Sequence, residues 1–449
     1  MKRKMLSILL TAGLTAGMLT GCGSSATVKE EPAQTSKSSE KSTAQMTTSS
    51  TQTADSKAPT LTVWAWDASF NGVAMHEADQ LYKGATVNFV EMSKADCLEK
   101  INTVLASGVK DNLPDIVLIG DASAQGYLMS YPDAFVPMDE YIKYSDFASY
   151  KKAQVSYSGK SYGVPFDTGV TGLFYRTDYI SQAGYTDEDM QNLTWDSYMK
   201  LGEKLKEKGH DLQTFNPNDI SDFQIYLQGA GKWFTDADGK ADFVKNDALK
   251  KCYDNFKALK KSSYVKEVSD WNGFQGAING GDVACVIRGS WITSTIKAAA
   301  DQSGKWKVAP IPTLDGVQGS TNKSNQGGSS WYVLKNSANS KLAVDFLAKT
   351  FAGNKDLYNT LLKKANIMGT YLPASGVSAY DEEDAFFSNQ KVNSILAGWI
   401  PDIPVVNTGA YTSEAQAALL AVTPDILAGK DQTVCLQNAE KQFDQTIHQ

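Results

Sequence analysis

Residues 61–120 read LTVWAWDASFNGVAMHEADQLYKGATVNFVEMSKADCLEKINTVLASGVKDNLPDIVLIG, and this stretch decides the fold class. Leu61 to Trp66 is a short apolar run of strand type, and Thr86 to Val90 and Asp115 to Ile119 are two more. The segments between them carry helical spacing. One runs to Tyr82 and is stopped by Gly84; the other is capped by Ser93 and repeats Leu98, Ile101 and Leu105 on one face. Strands alternating with amphipathic helices predict an α/β layer, because a parallel strand pair needs a crossover that also covers the sheet. Ligands of such sheets gather at the carboxyl ends of the strands. The ends expected here are Trp66-Asp67 and Gly120-Asp121.

A second α/β set follows. Tyr157 to Pro165 reads as a hairpin and a crossing, leading through Phe166-Asp167 to a strand over Leu173–Tyr175. Thr194 caps a helix carrying Tyr198, Leu201 and Leu205, and a further helix places Leu249, Cys252, Tyr253, Phe256 and Leu259 on one face. Val283 to Ile287 and Trp306 to Ile311 read as strands flanking a helix from Trp291 to Ala300. A Gly/Ser/Asn-rich loop, Gly316 to Gly328, precedes a strand over Ser330–Leu334, and from Lys341 the chain is mainly helical.

The 449 residues, 42% hydrophobic, suit two or three domains. A net charge of -7 argues against nucleic acid, which needs a basic footprint. Three scattered histidines make a histidine-rich metal site improbable, and no cofactor motif is present. Lys2, Arg3 and Lys4 precede an apolar stretch from Met5 to Leu19, too short to span a bilayer and suited to a signal peptide. It ends in Leu19-Thr-Gly-Cys22, which resembles a bacterial lipobox. That resemblance makes 1–21 a signal peptide and Cys22 the lipid attachment point, with 22–60 a Ser/Thr-rich tether too polar to fold. Cys97, Cys252, Cys285 and Cys435 form no CxxC pair and read as buried thiols, with a single disulfide left open.

Gly159-Lys160-Ser161 lacks the earlier glycine of a phosphate loop, since Gln154 stands there. Asp236-Ala-Asp-Gly239 lacks the oxygens of a calcium loop and reads as a tight turn. Gly159-Lys-Ser-Tyr-Gly163 has the G-x-S-x-G spacing, but it lies in the stretch read as a hairpin and not at a strand-to-helix elbow. Carbohydrate suits the remaining pattern better. A sugar ring offers a C–H face for an aromatic and a hydroxyl rim for Asp, Asn, Gln and Arg. Trp66-Asp67, Arg288-Gly-Ser-Trp291, Trp331 after Gly327-Gly328, and Trp399 and Tyr411 around Pro401-Asp-Ile-Pro404 offer such groups. Core packing competes for each tryptophan.

Several blocks, in order, resemble the family 1 extracellular solute-binding lipoproteins of bacterial ABC sugar importers, relatives of the maltose-binding protein. They include Leu61 to Trp66, Leu113-Pro-Asp-Ile-Val117, Val136-Pro-Met-Asp-Glu-Tyr-Ile142, Tyr162-Gly-Val-Pro165 and Leu173-Phe-Tyr-Arg-Thr-Asp178. Thr194-Trp-Asp196, Gly281-Asp-Val-Ala284, Arg288 to Trp291, Lys307-Val-Ala-Pro-Ile-Pro312 and Gly429-Lys-Asp complete the set. The resemblance implies a two-lobed periplasmic-binding-protein-like clamp, each lobe a mixed sheet flanked by helices, with a helical C-terminal region. Lobe 1 would hold 61–166 plus 312–372, and lobe 2 would hold 167–311 plus 373–449. Carried over by block, the ligand-binding residues are Trp66, Asp67, Asp121, Gln125, Asp167, Trp291 and Tyr411, beside Arg288, Gly328, Trp331 and Trp399. Ile119 and Ala410 stand where the maltose relatives carry tryptophans, so a different sugar is expected. The implied protein is a monomeric receptor without metal or cofactor, lipid-anchored on the outer face of the cell membrane. It would capture an oligosaccharide and pass it to the permease subunits of an ABC transporter. A surface glycoside hydrolase or lyase is the rival reading, and a peptide, polyamine or metal binder a weaker third.

Overall fold

A computed structural model describes residues 58–108, 113–236 and 239–448. The signal peptide over 1–21, Cys22 and nearly all of the tether lie outside these residues.

The first strand, Thr60–Ala65, pairs in parallel with Thr86–Glu91 on one side and Ile116–Gly120 on the other. Helices Val73–Leu81 and Lys94–Ser107 make the crossovers. Ser93 starts the second of these by accepting from the Asp96 N–H at 3.1 Å, which satisfies one of the donors a helix start leaves free. The sheet then departs from the parallel pattern. Ser329–Val333 adds antiparallel to Ile116–Gly120, and Gly163–Pro165 adds antiparallel to Ser329–Val333, giving a mixed five-stranded sheet. The late strand is antiparallel to both its neighbours and needs no crossover helix, so no parallel handedness binds it.

Thr171–Arg176 is the centre of a three-stranded antiparallel sheet, between Cys285–Gly289 and Trp306–Ala309. Its alternation divides the interior. Phe174, Val286 and Val308 enter the core shared with the first sheet, whereas Leu173, Tyr175, Cys285 and Ile287 enter a second core. Helix Trp195–Glu207 packs Tyr198, Leu201 and Leu205 into that second core behind a Thr194–Ser197 capping box. Helix Asp247–Lys261, capped by Asn246, buries Leu249, Cys252, Tyr253, Phe256 and Leu259. Each such side chain contributes about 1.5–3 kcal/mol of apolar burial. C-terminal helices Thr412–Leu427 and Gln432–Ile447 close over this core, with Leu436 and Phe443 fully buried. The result is a two-lobed α/β clamp with a helical C-terminal region.

The Ser158-Gly159 turn joins two short paired strands, and Gly239 donates its N–H back to the Asp236 carbonyl. Cys97, Cys252, Cys285 and Cys435 are buried free thiols.

Candidate functional site

The end of the first strand delivers Trp66 half-buried and Asp67 exposed. Asp67 has φ 58°, in the left-handed region that side chains other than glycine rarely adopt. Its Oδ1 holds this turn by accepting from the Ser69 hydroxyl at 2.6 Å and the Phe70 N–H at 3.1 Å. Asn71 anchors the same turn through a 2.7 Å bond from Nδ2 to the Trp66 carbonyl. The Lys94 ammonium sits 5.5 Å from the centre of the Trp66 ring.

The facing wall comes from the second sheet. Arg288, near the end of Cys285–Gly289, donates to Asp222 Oδ2 at 2.5 Å and lies 4.7 Å from the Phe274 ring centre. Gln326 Nε2 donates to the other oxygen of Asp222 at 3.2 Å, and the Gln326 carbonyl accepts from the Trp291 indole at 3.1 Å. Burial raises the Asp222 carboxyl above its ordinary value; Arg288 opposes this and neighbouring Asp219 adds to it. Trp271 is 47% exposed, stacks on Phe274 at 5.0 Å, and stands 6.0 Å from Trp291 at 45°. An indole that open to solvent beside a second angled indole is an unfilled aromatic surface.

Between the walls run two segments, 167–169 and 325–329. Asp167 Oδ1 accepts from the Ser329 N–H at 2.7 Å and its hydroxyl at 2.6 Å. Asn325 ties the two segments together, its Oδ1 accepting from the Gly169 N–H at 2.9 Å and the Thr168 hydroxyl at 3.0 Å. Beneath them lies a fully buried ion pair, Lys151 Nζ to Asp121 Oδ2 at 2.5 Å. Lys151 also donates to the Ser329 carbonyl at 2.9 Å and the Asp167 carbonyl at 3.1 Å. Gly328 passes directly above, at φ +98°, where an added Cβ would meet Asp121 Oδ2 at 2.5 Å.

These groups surround a cavity of about 700 Å³, to which Trp66, Asp67, Asp167, Arg288, Trp291 and Gly328 all contribute. Its size falls in the range usual for small-molecule sites, about 300–1,000 Å³. The other five nominated residues do not line it. Asp121 lies below the floor, committed to Lys151 and to the Ser330 hydroxyl at 3.0 Å. Burial raises its carboxyl, which Lys151 pulls back down. Gln125 is buried and donates to the Ala153 carbonyl at 2.9 Å. Trp331 is wholly buried against Phe166 and Phe351, because the strand turns Ser330 toward Asp121 and Trp331 to the opposite face. Trp399 ends a helix with the Lys323 ammonium 4.8 Å from its ring centre. Tyr411 meets Phe443 edge-on and borders a separate hollow of about 340 Å³.

The sequence reading passed over Trp271, Phe274, Asp222 and Gln326. One signal was present: Asp270-Trp271 opens a helix, with the Asp270 carboxylate accepting from the Gly273 N–H at 2.8 Å, and a large apolar residue there has no core to enter. Asp222 and Gln326 carry no local signal. They meet at the cavity only beside Arg288, which pairs with Asp222 from 66 positions away in the chain.

Residues 73–391 match the family model described as bacterial extracellular solute-binding protein. The chain is 42% identical over 387 residues to the lactose-binding protein of Rhizobium radiobacter, covering 85% of this chain and 92% of that one. Two solved structures share the fold. The sugar-binding protein MalE of Xanthomonas citri aligns with a TM-score of 0.71 at 17% identity, over 87% of this chain and 97% of its own. The galacto-N-biose-/lacto-N-biose I-binding protein of Bifidobacterium longum aligns at 0.69 and 19%, over 88% and 98%.

Proposed function

Because this chain belongs to the bacterial extracellular solute-binding protein family, we propose that it captures a neutral oligosaccharide between its lobes and hands it, unaltered, to an ABC importer. The observation that carries this reading is the cavity itself. Trp66 stands on one wall and Trp271 and Trp291 on the other, with planar hydrogen-bonding groups between them. Indole faces suit the C–H faces of sugar rings, and Asp, Asn, Gln and Arg suit their hydroxyl rims. Asp67, Asp167, Asp219, Asp222 and Asp270 outnumber Lys94 and Arg288 around the cavity, which disfavours uronic acids and other anions. The 42% identical lactose-binding relative makes lactose the first probe.

A guest touching both walls would favour the closed arrangement. Moving an open-to-closed ratio from 99:1 to 1:99 takes about 5.5 kcal/mol of differential affinity. On this reading the lobes divide at 166/167, 311/312 and 372/373, the receptor is a monomer, and Cys22 carries the lipid that holds it beside the permease at the outer membrane face. Nothing in the role calls for a nucleophile, metal or cofactor.

Intrinsic tryptophan fluorescence tests the reading across lactose, an arabino-oligosaccharide, a maltodextrin, glucuronic acid and spermidine. The expected result is a saturable change with a neutral sugar and none with glucuronic acid. A response to spermidine alone would replace the sugar with a polyamine. New reducing ends after incubation would make the protein a hydrolase instead.

A further inference from the structure

The cavity is lined not only by the two facing walls but by a recess in the second lobe. Helix Asp247–Lys261 turns Cys252, Asn255, Phe256 and Leu259 toward it, positions spaced along one helical face, and Trp195 joins them from the start of its own helix. Two donors in this recess lack acceptors. Trp195 Nε1 and Asn255 Nδ2 are buried with no hydrogen-bond partner, although Trp195 is only 3% exposed and Asn255 only 8%. Native interiors seldom leave such groups unpaired, and those that remain call for an absent partner.

Resting on the sugar-receptor reading above, we propose that this recess is a hydroxyl-reading subsite for one end ring of the bound sugar, with Asn255 as its specificity-determining residue. A carboxamide presents an acceptor and a donor side by side, which matches a hydroxyl or a vicinal pair of them; the Trp195 N–H supplies a second donor to the same edge. Phe256, Leu259 and Cys252 form an apolar wall for the ring's carbon face. The opening into the main cleft places the rest of the oligosaccharide between Trp66 and Trp291.

A series of monodeoxy lactoses titrated against the unaltered protein tests this, read beside the variants Asn255→Leu and Trp195→Phe. A site built around a hydroxyl rejects the analogue that lacks it. At least one deoxy analogue is therefore expected to bind about tenfold or more weakly, and Asn255→Leu to bind lactose about tenfold more weakly while no longer distinguishing that analogue. Both variants remove unpaired polar atoms, so their melting temperatures without sugar are expected to hold or rise. Deoxy analogues that all bind the unaltered protein as lactose does would overturn the proposal, leaving ordered water as the recess's occupant. So would undiminished affinity in both variants. In either case the sugar-receptor reading survives. Absence of binding by the unaltered protein to every sugar in the panel would remove both.

Discussion

Replacing Lys151 by Met perturbs the buried ion pair under the cleft floor. The ammonium is fully buried and has three partners: Asp121 Oδ2 at 2.5 Å, the Ser329 carbonyl at 2.9 Å and the Asp167 carbonyl at 3.1 Å. Methionine fills much of the same volume but leaves a buried carboxylate uncompensated. Breaking one side of a buried pair costs about 3–5 kcal/mol, mostly the penalty of the charge left behind. Pairing the change with Asp121→Leu removes that charge, and a well-packed apolar substitute for both partners is often near neutral. Urea unfolding should show the single variant about 3–5 kcal/mol less stable and the double variant recovering most of the loss. Because Lys151 holds the Asp167 and Ser329 carbonyls, the single variant should also bind its sugar more weakly. A single variant within about 1 kcal/mol of the parent, or a double variant no better than the single, would refute the reasoning.

Trp271→Ala and Trp291→Ala each remove one face of the angled indole pair and should weaken sugar binding roughly tenfold, as read by calorimetric titration. Asp222 holds the Arg288 guanidinium in an ion pair only when ionised, and burial raises its carboxyl above the ordinary value. As pH falls, affinity should therefore be lost at a higher pH than for an ordinary carboxylate near 4, and Asp222→Asn should flatten that acid limb. Gly169→Ala would drive a Cβ to 1.9 Å from the Gln326 carbonyl, a backbone atom that cannot swing away. That variant should lose well over about 1 kcal/mol of stability, measured by urea unfolding.

The fold was legible where local pattern and tertiary role coincide. The three parallel strands, the Ser93 cap and the apolar face of Asp247–Lys261 appear in the structure within a residue or two of where spacing put them. The cavity lining was legible at Trp66, Asp67, Asp167, Arg288, Trp291 and Gly328, because strand ends and strand-to-helix turns expose side chains wherever the sheets meet. It failed where burial hides direction. All five residues of Ser329–Val333 are buried, so no alternation of polar and apolar marks which face Trp331 takes. Asp121 sits at the correct strand end, yet its carboxylate is claimed by Lys151 from a helix 30 positions on, a pairing no local spacing announces. Trp271 was missed for the opposite reason, since exposure is a property of what fails to pack against a residue.

A crystal structure of the protein grown with the neutral sugar that changes its tryptophan fluorescence tests the central claim most directly. The account predicts that sugar intact in the 700 Å³ cavity, touching Trp66 or Asp67 on one wall and Trp291, Arg288 or Asp222 on the other. A sugar held by a single lobe at some other surface, or cleaved into its monosaccharides within the cleft, would contradict it.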